Sequence, residues 1–157
     1  MLFPTHLAVA AVAGRWTRLS PVLLVVGAAL PDLVDKPLGS LGVTALFHSV
    51  GHSLLFVLVV GPLALLGRAG VAVALGWASH LLLDVVHVVV NGRPADAVFL
   101  AWPVLTPEAP LALPPGAFFY YYLWTPSFFL ELALWAVVLA VAGRERRPLR
   151  RYLRRGT

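Results

Sequence analysis

The stretch Gly76-Trp77-Ala78-Ser79-His80-Leu81-Leu82-Leu83-Asp84-Val85-Val86-His87 lies inside an apolar run from Val71 to Val90. About 20 such residues make one helix long enough to cross a bilayer. This run nevertheless carries three metal-capable side chains. Positions i, i+4 and i+7 share one face of a helix, so His80, Asp84 and His87 project together. Ionisable groups in a membrane helix are costly and face a bundle interior or a wet cavity. A lone histidine here would read as a satisfied core residue. Three polar groups in register, with more His and Asp elsewhere in the chain, read as a site.

The whole chain agrees with that opening. It has 157 residues, 60% hydrophobic and 12% charged, with a mean hydropathy of +0.87. A soluble domain is closer to half apolar and a quarter charged. The fold class expected is therefore all-α: a polytopic transmembrane bundle of about five helices in a cell membrane, residues 1–143, followed by a basic tail, 144–157. Cysteine is absent, which excludes disulfides and thiolate metal sites. The net charge of +5 does not point to nucleic acid, because seven of the twelve basic residues sit between Arg144 and Arg155, directly after an apolar run. Such a tail is expected against anionic lipid headgroups. No Lys or Arg precedes the first apolar stretch, so a signal peptide is not expected.

Five apolar runs follow one another. The first is Met1 to Gly14, with Thr5 and His6 near its start. Ser20-Pro21 reads as a cap and first helical position, opening a second run that ends in Leu30-Pro31-Asp32-Leu33-Val34-Asp35-Lys36-Pro37. The third helix is expected over about Ala45 to Leu66, placing His48 and His52 at i, i+4 on one face. The fourth is the run described above, ended by Asn91-Gly92. A Pro-rich but partly apolar segment around Ala101-Trp102-Pro103 reads as a re-entrant or interfacial loop. The aromatics Phe118 to Trp124, Tyr120 to Tyr122 among them, read as an interface belt. Thr125-Pro126 opens a last helix to about Ala142, with Glu131 inside it.

Charge gives orientation. If the segments after runs one, three and five are cytoplasmic, ten of the twelve basic residues lie inside, leaving only Lys36 and Arg93 outside. The N-terminus is then external and the C-terminus cytoplasmic. This topology carries His6, Asp32, Asp35, His48, His52, His80, Asp84 and His87 to the outer half of the bundle.

Histidine and carboxylate without thiolate suit zinc and other first-row divalent ions. The expected ligands are His6, Asp32, His48, His52, His80 and Asp84, enough for one or two ions. His87 reads equally as a hydrogen-bonded residue of the helix end, and Glu131 as a single buried acid. A bridged pair of ions suits hydrolysis of a phosphoester or amide. No H-E-x-x-H, G-x-S-x-G or thiol nucleophile is present.

Four blocks of the chain resemble the predicted membrane-bound metal-dependent hydrolases of the YdjM-like type, particularly archaeal members. They are Thr5-His6; Pro31-Asp32-Leu33-Val34-Asp35-Lys36-Pro37; His48 with Gly51-His52-Ser53-Leu54-Leu55; and Ser79-His80-Leu81-Leu82-Leu83-Asp84 followed by Trp102-Pro103. The resemblance spans roughly the first two-thirds of the chain. It implies a divalent metal, zinc first, held by these His and Asp, and hydrolysis of a membrane-embedded or membrane-proximal substrate. Many relatives carry His-Arg-Gly ahead of the His-Ser block. Here Ser49 follows His48, and His48 stands four residues from His52 rather than five. Lys36 reads either as a substitute cation for a substrate phosphate or as a snorkelling interfacial lysine, and Asp35 and Lys36 are the expected catalytic pair. Two other readings stay open: a metal-binding membrane protein without catalysis, and a transporter. A transporter would need ionisable groups reaching the midplane from both sides, and the inner half offers none.

Overall fold

The computed structural model describes residues 1–108 and 113–155, with the side chains of residue 115 and of residues 145–155 left aside. Among the described residues every regular element is helical. α1 spans Phe3–Thr17, α2 Pro21–Ser40, α3 the single turn Val57–Val60, α4 Arg68–Val90, α5 Pro115–Tyr122 and α6 Pro126–Arg155. Three 3-10 segments, Leu54–Phe56, Pro62–Leu66 and Pro94–Ala101, join them.

α2 is central. It packs along α4 on one side and α1 on the other, and α6 closes against α1. The α2–α4 crossing is made by small residues. A Cβ on Gly27 would stand 2.0 Å from the Val73 carbonyl oxygen, and one on Gly76 would stand 2.1 Å from that of Leu24. Ala28 and Ala72 fill the same seam and are fully buried. Close backbone approach through small residues is how helices pack where water supplies no driving force between them.

Several local signals act as the sequence dictates. The Ser20 hydroxyl caps α2 by accepting from Leu23 N at 3.4 Å, with Pro21 following. Thr125 Oγ1 accepts from Phe128 N at 3.4 Å at the start of α6. α4 matches the expected fourth helix and ends at Asn91. α2 runs through Pro31 and Pro37 to Ser40, just past the expected end of the second run at Pro37. Asp32, Asp35 and Lys36 are thus helical.

The third expected helix forms only in part. Residues 41–53 are turns and bends, so His48 and His52 do not share a helix face. The cause lies in α2: backbone N–H groups of Ser49, Gly51 and His52 all turn toward the Asp35 carboxylate and are unavailable to a helix ladder. A Cβ on Gly51 would stand 2.9 Å from Pro31 Cα, so the loop lies directly on α2.

α4 and the Pro126–Arg144 part of α6 are long and apolar enough to cross a membrane. Large apolar side chains stay exposed around the bundle, including Val22, Leu58, Leu65, Leu82 and Leu139. α6 continues by backbone beyond the expected end near Ala142 to Arg155, and Gly156 and Thr157 of the expected tail lie outside the described residues.

The glycine seam yields a test. Gly76→Ala drives a methyl into the Leu24 carbonyl and is expected to destabilise the fold by about 1–3 kcal/mol, the usual cost of overpacking. Leu82→Ala, on an exposed position of the same helix, is expected to shift unfolding far less. Thermal unfolding of both variants in the same neutral detergent checks this; equal shifts would contradict the close crossing.

Candidate metal centre

The six ligand candidates arrive from four elements. α1 brings His6, α2 brings Asp32, the 41–53 loop brings His48 and His52, and α4 brings His80 and Asp84. Their donor atoms form three overlapping groups: His6, His80 and Asp84; Asp32, His52 and His80; and His48, His52 and Asp84. Within each group the atoms lie within 4.8 Å of one another. All six expected ligands are therefore brought together.

Asp84 is the hub. Its Oδ1 stands 3.3 Å from His6 Nε2, and its Oδ2 stands 3.2 Å from His80 Nε2, 3.3 Å from His52 Nε2 and 3.7 Å from His48 Nε2. The Met1 amine lies 3.2 Å from Oδ1. Asp32 Oδ1 approaches His52 Nε2 at 3.6 Å. His6, His52 and His80 are fully buried, and His48 is half-exposed. His6 stacks on His80 with ring centroids 3.7 Å apart.

The hydrogen bonds behind the rings decide what these atoms can do. His52 Nδ1 is 2.7 Å from Asp35 Oδ2, and His80 Nδ1 is 2.6 Å from the Ala28 carbonyl oxygen. Carboxylate and carbonyl only accept, so in the neutral rings Nδ1 carries the hydrogen and Nε2 is a bare lone pair. These two lone pairs face each other at 3.2 Å, with Asp84 Oδ2 beside both. With both rings neutral, three acceptors converge here without a donor, and either a proton on His52, held between Asp35 and Asp84, or a metal cation relieves their repulsion. The arrangement is that of histidine ligands whose outer nitrogens are fixed by a second partner.

Asp35, expected as a catalytic group, stands behind His52 and joins none of the three donor groups. It accepts from Ser49 N at 2.7 Å, Gly51 N at 2.9 Å, His52 N at 3.2 Å and the His52 ring, and is fully buried. Its place is that of a positioning residue. Lys36 faces the cluster's edge, 3.1 Å from Asp32 Oδ1 and 3.2 Å from the Phe47 carbonyl oxygen. The Trp77 indole donates to Gly51 O at 2.9 Å, tying the loop to α4. Ser53 donates to the Trp102 carbonyl, and Phe99 of the Pro94–Ala101 segment is buried over His48 and His52. The Pro-rich segment thus roofs the site.

His87 and Glu131 stay out of the cluster. His87 stacks on Tyr122 at 5.6 Å, with Asn91 Nδ2 3.4 Å from its Nε2. Glu131 accepts from Thr5 Oγ1, from Tyr122 OH and, at 3.2 Å, from Leu2 N. Tyr122 is accordingly buried, whereas Tyr120 and Tyr121 are exposed as an interface belt would have them. The Ala28 carbonyl and the loop N–H donors carry no side-chain signal and were beyond sequence reasoning; Gly51, four residues after Phe47 and next to His52, is the one hint.

A cavity of about 700 Å³ opens on the cluster. Asp32, His48 and Asp84 line it together with Lys36, Arg93 and mostly apolar side chains. No protein-family model, no curated protein and no solved structure matches this chain.

The position of Asp35 generates a test. Asp35→Asn keeps the side chain's size but removes the charge that orients His52. Loss of an outer partner of this kind costs roughly 10–100-fold in metal affinity. Zinc titration of the variant against a competing chelator is expected to show that weakening with the metal still bound at saturation; unchanged affinity would remove Asp35 from the site.

Proposed function

We propose that this chain is an integral-membrane, metal-dependent hydrolase, with zinc as its metal, acting on a phosphoester at the membrane surface. The observation that carries this reading is the meeting of the His52 and His80 Nε2 lone pairs with Asp84 Oδ2, with each ring's other nitrogen already committed. The donor set fits a first-row divalent ion: imidazole nitrogens and carboxylate oxygens, no thiolate. His6, His48, His52, His80, Asp84 and Asp32 would hold it, one ion or two. A bound ion supplies Lewis acidity toward a phosphoryl oxygen and water.

The chain's own groups supply the rest. Asp35 holds the His52 ring. Lys36 has three ammonium donors, of which Asp32 and the Phe47 carbonyl engage two; the third is left for a substrate oxygen. Phe99 excludes water from the buried side. Catalysis is favoured over a purely structural ion because structural sites are closed, whereas here Asp32, His48 and Asp84 border a cavity large enough for a ligand. The membrane setting is supported by two helices long enough to span and by the exposed Leu and Val side chains. We read the remaining apolar segments as further crossings or re-entrant parts of a five-segment bundle, N-terminus outside, with the basic tail on cytoplasmic lipid headgroups.

Two measurements test this. Asp84→Asn alters charge with almost no change of volume, and is expected to lose at least one equivalent of zinc by elemental analysis, together with chelator-sensitive phosphodiester hydrolysis, while remaining folded in detergent. Full metal occupancy in that variant would make the cluster a buried polar network. For orientation, cysteines placed at Ser40 and at Gly156 are expected to react with an impermeant maleimide from opposite sides of the membrane; labelling of both from one side would refute the topology.

A further inference from the structure

The cavity beside the cluster has two kinds of wall. One is apolar, built by Leu33, Val88, Leu113, Phe118 and Phe119. The other carries the side chains of Lys36, Arg93 and His87. Arg93 pairs through Nη2 with Asp96, and a guanidinium has five N–H donors, so it keeps capacity for another anion. The His87 ring is held by its neighbours Asn91 and Tyr122. Asn91 Oδ1 accepts from Ser127 N at 3.0 Å and Asn91 Nδ2 donates to Ser127 Oγ at 2.8 Å, which fixes the amide's orientation. Asn91 Nδ2 therefore presents a hydrogen to His87 Nε2 at 3.4 Å. The ring hydrogen is then on Nδ1, a buried atom with no partner among the described residues. Asp32, Asp84 and Asp96 also line the cavity, as does Met1, whose ammonium pairs with Asp84; the formal charges balance, and a divalent ion on Asp32 and Asp84 makes the lining net positive.

We propose that this cavity binds an anionic amphiphile, a phosphate ester carrying a hydrocarbon chain, with Arg93 as a specificity-determining residue that grips the head group while the chain lies on the apolar wall. The inference rests on the metal reading above and names the substrate class of that site. A soluble phosphoester would need only the polar wall. The apolar wall, continuous with it and reaching the exposed aromatic ring of Phe119, has no role for such a substrate.

The test uses the zinc-loaded full chain in neutral detergent and non-hydrolysable probes: dodecylphosphonate, methylphosphonate and dodecanol, compared by equilibrium displacement. Dodecylphosphonate is expected to bind roughly tenfold or more tightly than either of the others. Arg93→Gln is expected to weaken dodecylphosphonate by about tenfold and leave dodecanol unchanged. Asp96→Asn, which frees Arg93 from its partner, is expected to leave the affinity equal or higher. Phe119→Ala tests the other wall and is expected to weaken dodecylphosphonate but not methylphosphonate. Equal binding of methylphosphonate would assign the cavity to a soluble phosphoester, equal binding of dodecanol would make it a purely apolar pocket, and an unaffected Arg93→Gln would remove Arg93; each overturns the proposal. Zinc content and hydrolysis of bis(4-nitrophenyl) phosphate are followed in parallel. An active, zinc-loaded protein without the amphiphile preference refutes this inference alone, whereas preference without turnover refutes the hydrolase reading alone, and a chain that takes up no zinc refutes both.

Discussion

The buried carboxylate of Asp35 is the constraint on which the site depends. A charge removed from water must be compensated by hydrogen bonds, and Asp35 takes four, three of them from the backbone of one short loop. Those bonds forbid that loop a helix ladder and wrap residues 49–52 around the end of α2. The fourth bond turns the His52 ring so that its Nε2 faces α4. One carboxylate thereby sets a loop's path and a ring's direction together. The loop is then clamped from the far side by the Trp77 indole on Gly51 O.

The second requirement is distance between α2 and α4. His80 reaches the Ala28 carbonyl at 2.6 Å because the helices cross where Gly27, Ala28, Ala72 and Gly76 leave room. A larger residue at Gly76 would push α4 outward and take both His80 and Asp84 from their partners. Helix packing and ligand geometry are therefore one problem in this bundle. The small-residue seam sits one turn from the ligands, where displacement would matter most.

Much of this is legible in the sequence. The 3.6-residue period puts His80 and Asp84 on one face, the Ser20-Pro21 and Thr125-Pro126 caps open their helices, and all six expected ligands meet. What periodicity cannot carry is the effect of one tertiary carboxylate on a local helix. His48 and His52 at i, i+4 look helical, yet the N–H groups of that stretch are drawn away by Asp35. His87, whose role the spacing leaves open, is decided by distance along the helix. It lies on the face of His80 and Asp84, but three residues beyond Asp84 is far enough along α4 to reach the ring of Tyr122 instead of the ligand cluster. Tyr122 differs from its neighbours Tyr120 and Tyr121 because Glu131 awaits its hydroxyl on α6, a pairing that spacing along the chain does not reveal.

The two buried acids that meet α1, Glu131 and Asp84, divide the labour. Glu131 is satisfied by Thr5, Tyr122 and the Leu2 N–H, groups that donate and hold α6 to the N-terminal end of α1. The Trp135 indole, 2.9 Å from Thr5 Oγ1, completes that lock. Asp84 of α4 meets His6, the residue after Thr5, and three further rings. Two of those rings, His52 and His80, have their hydrogens committed elsewhere. A carboxylate ringed by donors is a structural pin. Asp84 instead has the Met1 ammonium at Oδ1 and ring nitrogens at Oδ2, a mixed shell with room for further positive charge. Neighbouring residues Thr5 and His6 thus serve different acids: one closes the fold around an acid already satisfied by hydrogen bonds, the other joins the ring cluster around Asp84.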